Sequence, residues 1–202
     1  MEKKHALAIL FSAADEFQNN HINHSLLFLC MDKHKKVYCV EVTFDSANFL
    51  HLTGVSTVIS PNNFFNMCLD RRLSIDDFEF SRDGTTEWKL EVLPRLMKQN
   101  LSANMIGEYN QSQPLLFTEK IAGSVSACMG FCRVGASGRY VPNTLLKGDI
   151  RTLVHKADRI ILTYRKNRAD KQYSDIVYMA KKVDWESVVL PPDYAYLPLP
   201  KQ

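Results

Sequence analysis

His51 and Thr53 stand two residues apart in Phe49-Leu50-His51-Leu52-Thr53-Gly54-Val55, an otherwise apolar segment that ends at a glycine. In a strand, residues i and i+2 share a face, so a strand here aims the imidazole and the hydroxyl the same way and leaves Leu50, Leu52 and Val55 for packing. An imidazole gains or loses a proton near neutral pH, and a hydroxyl donates to a phosphate oxygen or positions the ring. Together the two can help break a phosphodiester. The competing reading is a half-buried strand whose histidine is satisfied by an ordinary hydrogen bond.

A second constellation runs from Arg139 through Tyr140, Thr144 and Lys147 to Arg151. Two arginines, a lysine, a tyrosine and a threonine around a turn suit phosphate contacts and stacking on a base. The plainer alternative is a loop whose Thr144 caps a short helix and whose cations are solvated. A third basic region holds Arg159, Arg165, Lys166, Arg168 and Lys171, bordered by Tyr164 and Tyr173, with Asp158, Asp170 and Asp175 diluting its field. It can draw in RNA or be a solvated hairpin turn.

What is missing narrows the chemistry. The chain has no phosphate-loop motif, no dinucleotide fingerprint, no His-Glu-x-x-His and no Gly-x-Ser-x-Gly elbow, which sets aside nucleotide-driven motors and zinc proteases. Asp76 and Asp77 are sequence neighbours and do not face one another, and no metal site is expected. The five cysteines, Cys30, Cys39, Cys68, Cys128 and Cys132, show no Cys-x-x-Cys spacing. Small buried hydrophobes in a reducing compartment are the simpler account, so a cytoplasmic location is expected. The apolar run Ala6 to Ala14 is too short for a signal peptide or a membrane span. With 46% hydrophobic residues, 23% charged residues and a formal charge of +3, the composition is that of a globular protein and is too mildly basic to demand a polyanion.

The elements that must position these residues follow from periodicity. Leu7, Leu10, Phe11, Ala14 and Phe17 predict an amphipathic helix from about Glu2 to Asn19. Two strands, Ser25 to Met31 and Val37 to Phe44, flank a charged turn as a hairpin. Ser60-Pro61 opens a helix to Leu69, and a helix from Glu87 to about Gln99 should kink or restart at Pro94. Strands are expected over 115–121, 124–134, 140–141, 159–165 and 174–179. Helices early and strands late give α+β with an antiparallel sheet. One domain over 1–180 precedes an extended, Pro-rich tail over 181–202 that lies on the surface.

This order of elements, together with Asn48 to Val55, Phe64-Phe65, Cys68-Leu69, Leu73-Ser74-Ile75-Asp76-Asp77-Phe78 and Tyr140-Val141-Pro142-x-Thr144-Leu145-Leu146-Lys147-Gly148, resembles a family of phage- and mobile-element-associated domains grouped with the barnase, EndoU, colicin and RelE-like (BECR) nucleases. The resemblance spans about residues 5 to 180. It implies N-terminal helices on a curved antiparallel sheet and a metal-independent endoribonuclease, in which the ribose 2'-hydroxyl attacks the adjacent phosphorus and no cofactor is needed. On that resemblance His51 is the general base or acid, Thr53 and Thr144 donate hydroxyls to phosphate, and Lys147 stabilises charge. Arg139, Tyr140, Arg151, Arg165 and Tyr173 then contact the RNA. A toxin or effector of this kind implies a cognate inhibitor protein, and no membrane is involved. The alternatives are an inactive RNA- or protein-binding module and a small-molecule pocket lined by Phe49, Phe64 and Phe131.

Overall fold

A computed structural model of the chain describes residues 1–111, 117–135 and 138–200. The first helix, α1 (Lys3–Asn20), buries Ala6, Leu10, Ala13, Ala14 and Phe17 on one stripe. Phe17 meets Phe44 and Phe65 edge-on, with ring centroids 6.0 and 5.6 Å apart. Sealing such a phenylalanine from water contributes about 1.5–3 kcal/mol. The hairpin follows as β1 (His24–Met31) and β2 (Val37–Thr43), antiparallel along their length.

The His51 segment is a helix, α2 (Ser46–Thr53), and the expected strand is corrected. The backbone N–H of Asp45 donates to Asn48 Oδ1 at 2.7 Å, half of a capping box. Gly54 closes the helix at φ +70°, a left-handed position that a glycine reaches without strain. Two residues then separate His51 and Thr53 by about 200° around the axis, so they do not share a face. Next come β3 (Val55–Ser56), α3 (Pro61–Leu69) with proline at its first turn, β4 (Glu79–Phe80) and α4 (Thr85–Leu96), which continues through Pro94 without restarting.

The second half supplies β5 (Met105–Glu108), β6 (Lys120–Gly123), β7 (Ala127–Val134), β8 (Arg139–Lys147), α5 (Ile150–Leu153), β9 (Asp158–Asn167) and β10 (Asp175–Met179). The strand expected over 115–121 falls partly outside the described residues. The Arg139 to Lys147 stretch is a full strand instead of a loop, and α5 is capped by Asp149, not Thr144: the Asp149 side chain accepts from Arg151 N at 2.9 Å. The eight-stranded sheet runs β1-β2-β8-β7-β6-β5-β9-β10, and β1 also pairs with β9, closing a ring of seven strands with β10 appended. Among the described residues every pairing in this sheet is antiparallel except β2 with β8, joined in parallel at Val42–Tyr140. The α+β expectation therefore holds, with this parallel seam added.

Alternation sorts the strands into two faces. Leu26, Phe28, Val42, Met129, Phe131 and Leu145 point inward to the helices and share one core with Phe49, Phe64 and Leu93. Phe49, Phe64 and Phe131 are fully buried there, so they do not line a small-molecule pocket. On the outer face Leu27, Leu29, Leu162 and Tyr164 are covered by Val188 and Leu197. The C-terminal segment is thus docked, with Tyr164 Oη donating to Pro198 O at 2.8 Å.

Candidate active site

Three cross-strand rows on the inner face explain where chemistry can sit. The first, Ile106, Ala122, Met129 and Leu145, lies under the helices. The next, Glu108, Lys120, Phe131 and Pro142, is half charged, and the last pairs Arg133 with Tyr140. Phe131 and Tyr140 still belong to the core packed by the helices, whereas their neighbours Glu108, Lys120 and Arg133 do not, so the same face that forms the core becomes a polar groove at this end. Strand period alone sets this arrangement: Met129, Phe131 and Arg133 occupy successive inward positions of β7.

The groove is organised around Tyr140, only 6% exposed. Arg133 Nε donates to its hydroxyl oxygen at 3.0 Å, and the guanidinium carbon lies 5.2 Å from the ring centroid. Lys120 Nζ lies 5.8 Å from the same centroid, within cation–π range. Its side chain is 17% exposed, and its carboxylate neighbour is Glu108 Oε1 at 3.6 Å. Arg133 also holds Glu119: its backbone N–H donates to Oε1 at 3.1 Å and Nε lies 3.2 Å from Oε2. The hydrogen bond to Tyr140, then the nearby Glu119 charge, push the Arg133 pKa up, so the guanidinium stays charged.

Two clefts meet at these residues. One, of about 350 Å³, is lined by Glu108, Thr118, Glu119 and the exposed His155, whose backbone N–H donates to Glu108 O at 3.0 Å. The other, of about 560 Å³, is lined by Tyr38, Glu41, Arg139 and Tyr194. Lys120, Arg133 and Tyr140 line both. Tyr38 Oη donates to Asp158 Oδ2 at 2.9 Å, and Lys156 Nζ lies 2.9 Å from Oδ1. Burial first, then Cys30 and Asp158, push the Tyr38 pKa well up, so it stays a neutral donor. Among the described residues no group of three or more His, Cys, Asp or Glu side chains is arranged to hold a metal ion.

Of the residues that the sequence nominated, Arg139 and Tyr140 line this groove. The other seven lie elsewhere or are sealed. Thr53 is buried, its hydroxyl donating to Leu50 O at 2.7 Å and accepting from Val55 N at 3.3 Å, which finishes the helix. Thr144 is buried on the opposite sheet face, across from Gly130, where a Cβ would meet the Thr144 and Thr118 methyls. Lys147 ends β8, seven residues and about 23 Å along the strand from Tyr140, and its Nζ is 2.7 Å from Glu91 Oε2. The exposed ring of His51 sits on α2, whose His51 carbonyl accepts from Lys89 Nζ at 3.2 Å. Lys89 and Glu91 point about 200° apart around α4, so His51 and Lys147 meet different sides of that helix. Arg151 is folded onto Asp149, and Arg165 Nη2 pairs with Asp175 Oδ2 at 2.8 Å. Tyr173 is buried beneath the tail in the second cluster, and burial, then Glu41, push its pKa up.

Lys120, Arg133, Glu119 and His155 were not singled out in the sequence. Arg133 carries a legible signal, a lone cation at an inward position after Met129 and Phe131. Glu119 and His155 carry none, because the ladder alone brings them to the groove.

Compared with known proteins, the chain matches a family model described as phage-Barnase-EndoU-ColicinE5/D-RelE like nuclease4 over residues 9–182. No curated protein and no solved structure matches. Among the described residues no helix is long and apolar enough to cross a membrane.

Proposed function

Since the chain belongs to the phage-Barnase-EndoU-ColicinE5/D-RelE like nuclease4 family, we propose that it is an endoribonuclease working without a metal ion and that the open end of the sheet's inner face holds the scissile phosphate. The reading rests on one observation: two cations, Lys120 and Arg133, converge on Tyr140 where two clefts join. A phosphate there faces charge on its non-bridging oxygens from both side chains, which is where negative charge grows during phosphoryl transfer.

In the step we infer, the ribose 2'-oxygen bonds to phosphorus as its proton passes to a carboxylate, for which Glu119 is positioned by Arg133. The bond from phosphorus to the 5'-oxygen breaks, that oxygen takes a proton from the His155 imidazolium, and the products are a 2',3'-cyclic phosphate and a free 5'-hydroxyl. Water later opens the ring, with the two proton carriers in exchanged roles. The 2'-hydroxyl requirement makes RNA the substrate. Free thiols at all five cysteines suit a reducing cytoplasm. A phage- or element-borne effector of this kind would need a cognate inhibitor protein in the cell that makes it; the family description supports only the phage-associated nuclease part of this reading.

The test is purified protein with a fluorophore–quencher RNA in excess EDTA. Cleavage that disappears in Glu119→Gln and His155→Ala, and that leaves the all-deoxy analogue intact, supports the mechanism. Cutting of DNA, or activity only with added divalent metal, would replace it. RNA binding without any cleavage would make the chain a binding module.

A further inference from the structure

The family match ends at residue 182, yet the wider of the two clefts has a wall from beyond that point, Tyr194. We infer that Tyr194 stacks a nucleobase next to the phosphate bound at Lys120 and Arg133, so that the docked C-terminal segment extends the substrate site to a stretch of unpaired RNA. The inference rests on the proposed function and deepens it.

Three observations carry it. Tyr194 is held in place: it ends a 3₁₀ turn, Pro192–Tyr194, with its N–H on Pro191 O at 2.9 Å and its carbonyl accepting from Leu197 N at 3.1 Å. Leu197 is buried and the next carbonyl, Pro198 O, accepts from Tyr164, so the ring is presented by an anchored strap. Tyr194 is also two-sided, half-buried against the outer apolar cluster while it lines the cleft. Its hydroxyl pKa is pushed up to about 12, by burial first and then by Glu41, which keeps it neutral. Finally, the cleft combines tyrosines Tyr38, Tyr140 and Tyr194 with the cations of Lys120, Arg133 and Arg139. Aromatic faces beside a cationic track are what bind single strands, because every base has a π-face and the backbone needs positive charge. A base held in a helix is already stacked and paired, so a duplex cannot offer it to this wall.

The test uses a fluorescein-labelled 2'-O-methyl tetranucleotide, which cannot be cut, and anisotropy as the readout. Tyr194→Ala should weaken binding roughly tenfold, the scale of one lost base stack, whereas Tyr194→Phe should bind within about twofold of the parent. Tyr194→Leu keeps the apolar packing without the π-face and should resemble the alanine variant, with melting curves confirming that all three fold. Cleavage of the ribo-oligomer by Tyr194→Ala should show the loss in KM, with kcat nearly unchanged. If Lys120→Met weakens binding and Tyr194→Ala and Tyr194→Leu do not, the phosphate site stands and this inference falls. If the parent protein neither binds nor cuts RNA, both fall together.

Discussion

Replacing Lys120 with methionine separates the groove from every other cationic region of this protein. The stem is kept, so packing over Tyr140 is preserved, and only the ammonium is lost. In the free protein that ammonium has Glu108 Oε1 at 3.6 Å, and the Lys120 side chain as a whole is 17% exposed. A phosphate at about 4 Å attracts it by about 4 kcal/mol at an effective dielectric of about 20. Glu108 already offsets part of that attraction, leaving about 2–4 kcal/mol of transition-state stabilisation to lose. At 1.36 kcal/mol per decade this is a fall of about 30- to 1000-fold in kcat/KM. The assay is single-turnover cleavage of the quenched RNA in EDTA, with the melting temperature read in parallel. Lys147→Met loses only an exposed pair with Glu91, worth about 0–1 kcal/mol of stability, and should cut within about twofold of the parent, as should His51→Ala. Full activity in Lys120→Met beside a dead His51→Ala or Lys147→Met would refute the argument and return the site to the helical side of the sheet.

Other outcomes follow from particular contacts. A Cβ at Gly107 would lie 2.3 Å from Lys156 O and 2.8 Å from Val154 Cβ, so Gly107→Ala should cost about 1–3 kcal/mol in chemical denaturation. It should also lower activity by displacing the strip that carries His155. His21 is buried against Phe17 and Phe44, with Nε2 3.1 Å from Met97 O, and burial pushes its pKa down to about 3. The unfolded chain therefore binds one more proton between pH 6.5 and about 3. Stability from this residue is complete above pH 6.5 and falls with decreasing pH by up to about 1.4 kcal/mol per unit. His21→Gln should flatten that part of a melting-temperature profile, and an unchanged slope would rule the histidine out. Leu197→Ala should cost about 2 kcal/mol or more and raise KM as well, since it loosens the strap that presents Tyr194.

Much of the scaffold was legible because its signals are local. The α1 stripe, the β1–β2 hairpin, Ser60-Pro61 at the start of α3 and the strands β7, β9 and β10 were readable from spacing, whereas β5 carried no clear signal and most of β8 was read as a turn. The α2 segment misled because Leu50, Leu52 and Val55 around His51 and Thr53 imitate strand alternation. The marks of a short helix, Asp45 with Asn48 at one end and Gly54 at the other, stood at its borders. Tyr140 and Arg139 were picked out from a cluster of suitable types within a few residues. Lys120 and Arg133 are thirteen positions apart and become neighbours only through the β6–β7 register, which no one-dimensional pattern contains. Buried Thr53, Thr144 and Tyr173 show the reverse: a reactive residue type says nothing of which side of a sheet or helix it will occupy.

The seam at Val42–Tyr140 gives the ring an unequal mechanical character. Elsewhere β1, β2, β7 and β8 are zipped to their antiparallel neighbours along most of their length, whereas among the described residues one bridged pair holds β2 to β8 at the place where the wider cleft opens. Breathing of the fold should begin there, detectable as fast amide exchange around Val42 and Tyr140. The mouth of the groove can then gape and close on a polymer without unzipping the rest of the molecule.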